Sequence, residues 1–203
     1  MKEKGRDNKL RYNFSYWGPF LFSTAVPQKI IKKLLKHAPN KKSHHKYLAG
    51  HVTKQFLYPE DVFMDCLEPY LNSYLKEASI YYGHKNFLNK GVKLIGPPWI
   101  NYMKAGDFNP PHIHNKGHFS MVIFLQIPKT LKKEHMEFKG TSQGPGAIEF
   151  IYGENRFLNL NAHHFFPVVG NFLMFPASLY HWVYPFKSKG ERISISANLN
   201  IIT

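Results

Sequence analysis

From about residue 92 onward the chain is built of short apolar runs cut by Gly, Pro and Asn. Many short strands separated by turn residues are the mark of an all-β sandwich or barrel, which restricts this half to folds whose sheets close on one another. The preceding part reads differently. Pro27 opens an amphipathic stretch in which Ile30, Ile31, Leu34 and Leu35 share one helical face and Lys29, Lys32, Lys33 and Lys36 the other, predicting about three turns that end near Ala38-Pro39-Asn40. A basic loop, Lys41 to Lys46, follows. A second helix is expected from Pro59-Glu60-Asp61, whose acids suit a helix N-terminus. It continues through Val62, Phe63, Cys66, Leu67, Tyr70, Leu71, Tyr74 and Leu75, with Pro69 expected to interrupt and kink it. At roughly 150 residues per domain, 203 residues fit one domain. Its expected parts are a basic helical segment, residues 1–90, packed without a flexible linker on a β core, residues 91–203.

Composition removes several classes. The lone Cys66 cannot form an internal disulfide, so a stapled secreted scaffold and a Cys-rich zinc module are both excluded. Any metal has to be held by His and carboxylates. No run approaches the roughly 18 uncharged apolar residues of a membrane span, and Met1 to Arg11 lacks the apolar centre of a signal peptide, so a cytoplasmic protein is expected. Positive charge is concentrated early: residues 1–58 carry 13 Lys/Arg against two acids, Glu3 and Asp7, whereas residues 59–203 carry 14 against 11. Such a surplus suits a polyanionic partner, nucleic acid or an acidic protein, and equally a solvated surface; no nucleic-acid-binding motif accompanies it.

Chemistry-bearing residues lie in the β half. His112-Ile113-His114 follows the turn-rich segment Ala105 to Pro111 and precedes the strand-like run Phe119 to Ile127. On a strand, residues two apart point to one side, so both imidazoles face one way, half of a metal site. His181, between Tyr180 and Trp182, is a third candidate and equally a core histidine with one satisfied nitrogen. In Arg192 to Leu199 the alternation is strict: Arg192, Ser194, Ser196 and Asn198 on one face, Ile193, Ile195, Ala197 and Leu199 on the other. If the sheet closes, the polar face lines an interior. A guanidinium there needs an anion, which makes Arg192 a carboxylate clamp with Ser194 as a second donor.

The order of Trp99 and Asn101, a glycine turn, His112 and His114, a strand, Gly170 to Phe175-Pro176, His181, and Arg192 with Ser194 resembles the 2-oxoglutarate- and Fe(II)-dependent oxygenases. More narrowly it is similar to small oxygenases of bacteriophages and bacteria related to the prolyl-hydroxylase branch. The resemblance covers roughly residues 95–203, with a weaker likeness over residues 48–82. It implies a double-stranded β-helix, a jelly-roll core of cupin type with N-terminal helices against one sheet. It implies iron held by His112, His114 and His181, and the far carboxylate of 2-oxoglutarate held by Arg192 and Ser194, with Asn101 and Tyr102 lining the pocket. The implied activity is hydroxylation of a protein, nucleic acid or small molecule with O2, coupled to decarboxylation of 2-oxoglutarate to succinate.

One departure stands out. Most of that superfamily carries Asp or Glu where this chain has His114, and three imidazoles leave the site one negative charge poorer. Three readings are open: His114 is itself a ligand, which the narrower family favours; or it stands behind the metal while Asp107 or Glu149 supplies an oxygen; or the domain is not catalytic. Two other classes compete. A cupin-like metal protein without 2-oxoglutarate predicts Arg192 buried against a protein carboxylate. A noncatalytic basic module predicts salt-sensitive binding that ignores metal. Elsewhere, His44, His45, His51, His163 and His164 read as surface residues, His118 as loop structure, Lys129 to Lys139 as an exposed connection, and Thr141 to Gly146 as a loop able to close over substrate.

Overall fold

The structure, a computed structural model, describes residues 2–4, 13–15, 18–39, 50–52, 54–84, 90–157 and 159–202. The expected basic loop at 41–46, with His44 and His45, lies outside the described residues. The chain begins with a small ladder, β1 (Lys2–Lys4) with β2 (Asn13–Ser15). Then come β3 (Phe22–Ala25), α1 (Gln28–Lys36), β4 (Lys54–Leu57), α2 (Glu60–Tyr82), β5 (Val92–Leu94) and β6 (Trp99–Met103). The remainder is β7 (Asn109–His112), β8 (Phe119–Gln126), α3 (Leu131–Glu137), β9 (Ile148–Ile151), β10 (Ala162–Phe165), β11 (Asn171–Pro176), β12 (Tyr180–Val183) and β13 (Arg192–Ile201).

Strands β3 to β13 form the two antiparallel sheets of a double-stranded β-helix. The larger runs β3-β11-β8-β13-β6-β4, with β5 also paired to β13; the smaller runs β10-β9-β12-β7. Strand alternation sorts the residues between two apolar cores. Met121, Ile123 and Leu125 of β8, Phe172 and Met174 of β11, and Ile193, Ile195, Ala197 and Leu199 of β13 pack with the helices on the outer face of the large sheet. Val122, Phe124, Leu173 and Phe175 point the other way and meet Ile148, Phe150 and Val183 of the small sheet. The molecule is therefore three layers deep: α1 and α2, large sheet, small sheet.

The helices form for the expected reasons. Ile31 and Leu34 of α1 are fully buried while Lys29, Lys32 and Lys36 are exposed, and Lys33 pairs with Asp65. The Tyr58 hydroxyl donates to the Leu34 carbonyl at 2.8 Å. In α2, Phe63, Leu67, Leu71 and Tyr74 are completely buried, and the helix stops at Gly83, whose φ of +69° is the left-handed conformation a glycine adopts cheaply. Pro69 does not interrupt α2, which is continuous across it. Both Pro69 and Asp65, whose carbonyl loses its N–H partner, are on the exposed face, where water can replace the missing bond. The charge-rich stretch after Lys129 contains a short helix, α3, anchored by the fully buried Leu131.

Candidate metal centre and cavity

Antiparallel pairing sets His181 of β12 opposite His112 of β7. β7 ends at His112, but the His114 N–H donates to the Ala177 carbonyl at 2.8 Å, which keeps that residue beside the other two. Ring centroids are 4.3 Å apart for His112 and His181, 5.0 Å for His112 and His114, and 5.2 Å for His114 and His181. One nitrogen from each lies within 4.8 Å of the others, and among the described residues this is the one such cluster of three His, Cys or acidic groups.

Local bonds fix two of the rings. His112 Nδ1–H donates to the Pro110 carbonyl at 2.7 Å, and His181 Nδ1–H to the Leu179 carbonyl at 2.8 Å. A carbonyl only accepts, so each Nδ1 carries a proton, and in the neutral form of either ring Nε2 is the bare lone pair. Burial pushes the His181 pKa down to about 3, with His112 adding to the effect, and burial with the same neighbour pushes His114 down to about 4. Both rings are neutral near pH 7, as a metal ligand must be. Phe175, edge-on at 4.8 Å, and Phe150, stacked at 5.9 Å, wall His181 in.

β13 carries the polar side chains into the same cavity, whose empty space is about 630 Å³ including its mouth. Arg192 is 1 % exposed. One terminal nitrogen donates to Met103 Sδ at 3.0 Å, the guanidinium lies 4.8 Å from the centre of the Phe124 ring, and Nε has no hydrogen-bond partner. Among the described residues no acid pairs with it. Burial lowers its pKa to about 9, which leaves it cationic at neutral pH. An unpaired buried cation is costly, and an anion docking beside it would remove that cost.

Asn101 and Ser194 stand side by side in the pairing of β6 with β13, and both line the cavity with His112, His114, His181 and Arg192. Tyr102 does not, which corrects its expected place in the pocket. Neighbouring strand residues face opposite sides, so its ring packs edge-on against Phe56 and its hydroxyl donates to the Pro39 carbonyl. Asp107 and Glu149 both stand outside the histidine cluster: Asp107 accepts from the Lys104 N–H, and Glu149 from the Tyr184 hydroxyl. The sequence reading missed Gln55, 3 % exposed, whose amide donates to Asn101 at 2.6 Å across the β4–β6 pair. It also missed Met103, the sulfur facing Arg192. Of the aromatic residues, Trp99 and Phe175 line the cavity, whereas Phe119 packs 5.0 Å from Tyr74 on the helical side and Trp182 lies 6.2 Å from Tyr184. His118 Nδ1 accepts from the Ile201 N–H, and the loop from Thr141 to Gly146 contributes nothing to the cavity lining.

Residues 98–198 match the family described as "Putative 2OG-Fe(II) oxygenase". No curated protein matches the sequence. Among solved structures, the chain is similar to a Pseudomonas putida prolyl-4-hydroxylase, with TM-score 0.56 and 13 % identity over 88 % of this chain and 91 % of that one. It is also similar to a Trichoplax adhaerens prolyl hydroxylase solved with a hypoxia-inducible-factor oxygen-degradation-domain peptide, with TM-score 0.55 and 14 % identity over 90 % and 83 %. A third likeness is to a 2OG-Fe(II) oxygenase-family oxidoreductase from Burkholderia pseudomallei, with TM-score 0.52 and 14 % identity over 83 % and 76 %.

Proposed function

Because the chain belongs to the 2-oxoglutarate- and Fe(II)-dependent oxygenase superfamily, we propose that it hydroxylates its substrate at the cavity between the two sheets. In this reading His112, His114 and His181 hold Fe(II), and Arg192 with Ser194 holds the far carboxylate of 2-oxoglutarate. The observation that carries it is Arg192: a guanidinium 1 % exposed, without an acidic partner among the described residues, in the cavity that also contains three clustered imidazoles. A cupin-type protein without 2-oxoglutarate would bury that arginine against an acid of its own, and no described acid pairs with it.

The donor set suits the group. His112 and His181 direct Nδ1–H to backbone carbonyls and so leave Nε2 for a metal, and His114 and His181 are neutral, so binding Fe(II) displaces no proton from either of these two at pH 7. Bound iron supplies the oxidative chemistry, in which substrate C–H, O2 and 2-oxoglutarate become substrate C–OH, succinate and CO2. The chain's own part is orientation: Arg192 offers a planar fork to one carboxylate, Ser194 adds a hydroxyl donor, and Phe150 and Phe175 exclude water around His181.

Anaerobic addition of Fe(II) and 2-oxoglutarate is expected to give a weak visible charge-transfer band. His181→Ala abolishes it. Arg192→Ala, losing a buried charge-assisted pair of about 3 kcal/mol, recovers it only at roughly 100-fold higher 2-oxoglutarate. A band that either variant leaves unchanged overturns the assignment.

A further inference from the structure

His112 and His181 each direct Nδ1–H to the backbone carbonyl two residues before them. Among the described residues His114 has no such carbonyl. Its Nδ1 is 3.4 Å from the side-chain amide nitrogen of Asn198, on β13. The other end of that amide, Oδ1, lies 2.8 Å from the Ser120 hydroxyl, and Ser120 and Asn198 are directly opposed in the β8–β13 ladder.

An amide has a donor at one end and an acceptor at the other, and a half-turn exchanges them with almost no movement of other atoms. With nitrogen towards His114, Nδ1 must accept, the neutral ring carries its proton on Nε2, and the triad has two bare Nε2 atoms instead of three. With oxygen towards His114, Nδ1–H donates and Nε2 is free. Ser120 is indifferent, because a hydroxyl donates to the amide oxygen in one arrangement and accepts from the amide nitrogen in the other.

We infer that Asn198 is the positioning residue of the third ligand: its carbonyl accepts Nδ1–H of His114, with Ser120 holding the opposite end, and so presents Nε2 to the metal. This rests on the triad being the metal site. Asn198 thereby does through a side chain what the Pro110 and Leu179 carbonyls do through the backbone, and outer partners of this kind fix both ring orientation and ligand basicity.

The test begins with the full-length wild-type protein, metal-free and labelled with 15N-histidine. Two-bond 15N–1H correlations are expected to show His114 protonated on Nδ1; protonation on Nε2 overturns the inference. Co(II) titration gives a second measurement. Asn198→Leu, near in volume and without polar atoms, is expected to weaken Co(II) binding 10- to 100-fold and to move the His114 proton to Nε2. Asn198→Asp, which can only accept when ionised, keeps the Nδ1 proton and near-native affinity. In a His114→Ala background Asn198→Leu has no further effect on affinity. Equal loss in the Asp and Leu variants, or an undiminished Leu effect without His114, also overturns it. If His112→Ala and His181→Ala leave Co(II) binding intact, the triad reading itself has failed; if both abolish it while Asn198→Leu does nothing, only the role of Asn198 has.

Discussion

A buried neutral imidazole is useful to a metal and a liability in acid. In an unfolded chain His114 and His181 titrate near 6.5; in the fold they titrate at about 4 and about 3. Below about pH 6.5 the unfolded state therefore takes up protons that the folded state refuses, and linkage makes stability fall as pH falls, until the folded rings also protonate. The loss is of the order of several kcal/mol for the two together. Thermal melts of metal-free protein from pH 7 to pH 4 should show a falling midpoint, and His181→Gln should flatten that slope; an identical slope refutes the link. His112 and His114 stood out in the sequence by their two-residue spacing, but β7 ends at His112 and the His114 N–H bond to the Ala177 carbonyl is what keeps the second ring there; His181, from a distant strand, was one candidate among others. Tyr102 was misplaced because Asn101 and Tyr102 are adjacent, and a pattern without a known inward face cannot say which one points in. Gln55 gave no signal, since it follows Lys54 in a basic stretch and only its pairing with Asn101 gives it a role.

Helical period and turn residues located α1, α2 and the strands near residues 119–127 and 192–199. What they could not weigh was Pro69. A proline inside a helix forfeits one hydrogen bond and crowds the carbonyl four residues back, a cost of about 3 kcal/mol in the interior, reduced here by exposure to water. The Ser73 hydroxyl donates to the Pro69 carbonyl at 2.8 Å, one turn beyond the Asp65 carbonyl that lost its partner, so that carbonyl is left to water. Pro69→Ala should therefore stabilise the protein by about 1–3 kcal/mol in denaturant melts; destabilisation would mean that the ring has a packing role its exposed position does not suggest. α3 escaped sequence reading for a different reason. Over seven residues it buries one side chain, Leu131, too few for a periodic signal.

Seen entire, the molecule separates support from chemistry by a sheet. α2 rests on the outer face of the large sheet and the cavity opens on the inner one, so loosening the first layer should spare the site. Leu71→Ala is expected to cost about 2–5 kcal/mol of stability through the void it leaves. Co(II) affinity of the folded protein should stay within about twofold; a tenfold change would show that helix packing and metal site are coupled. The layering was legible because alternation on β13 announces two unlike faces. Which sheet would close over the polar face was not, since pairing between distant strands leaves no trace in local pattern.

β13 also constrains what this sequence can become. Every residue from Arg192 to Leu199 serves one side or the other, cavity or helix-facing core. Losing or gaining a single position would turn the guanidinium's successors into oil and put isoleucines among the imidazoles. Descendants of this gene can exchange side chains along that ribbon, but changes of length have to be absorbed by loops such as the one joining β9 to β10.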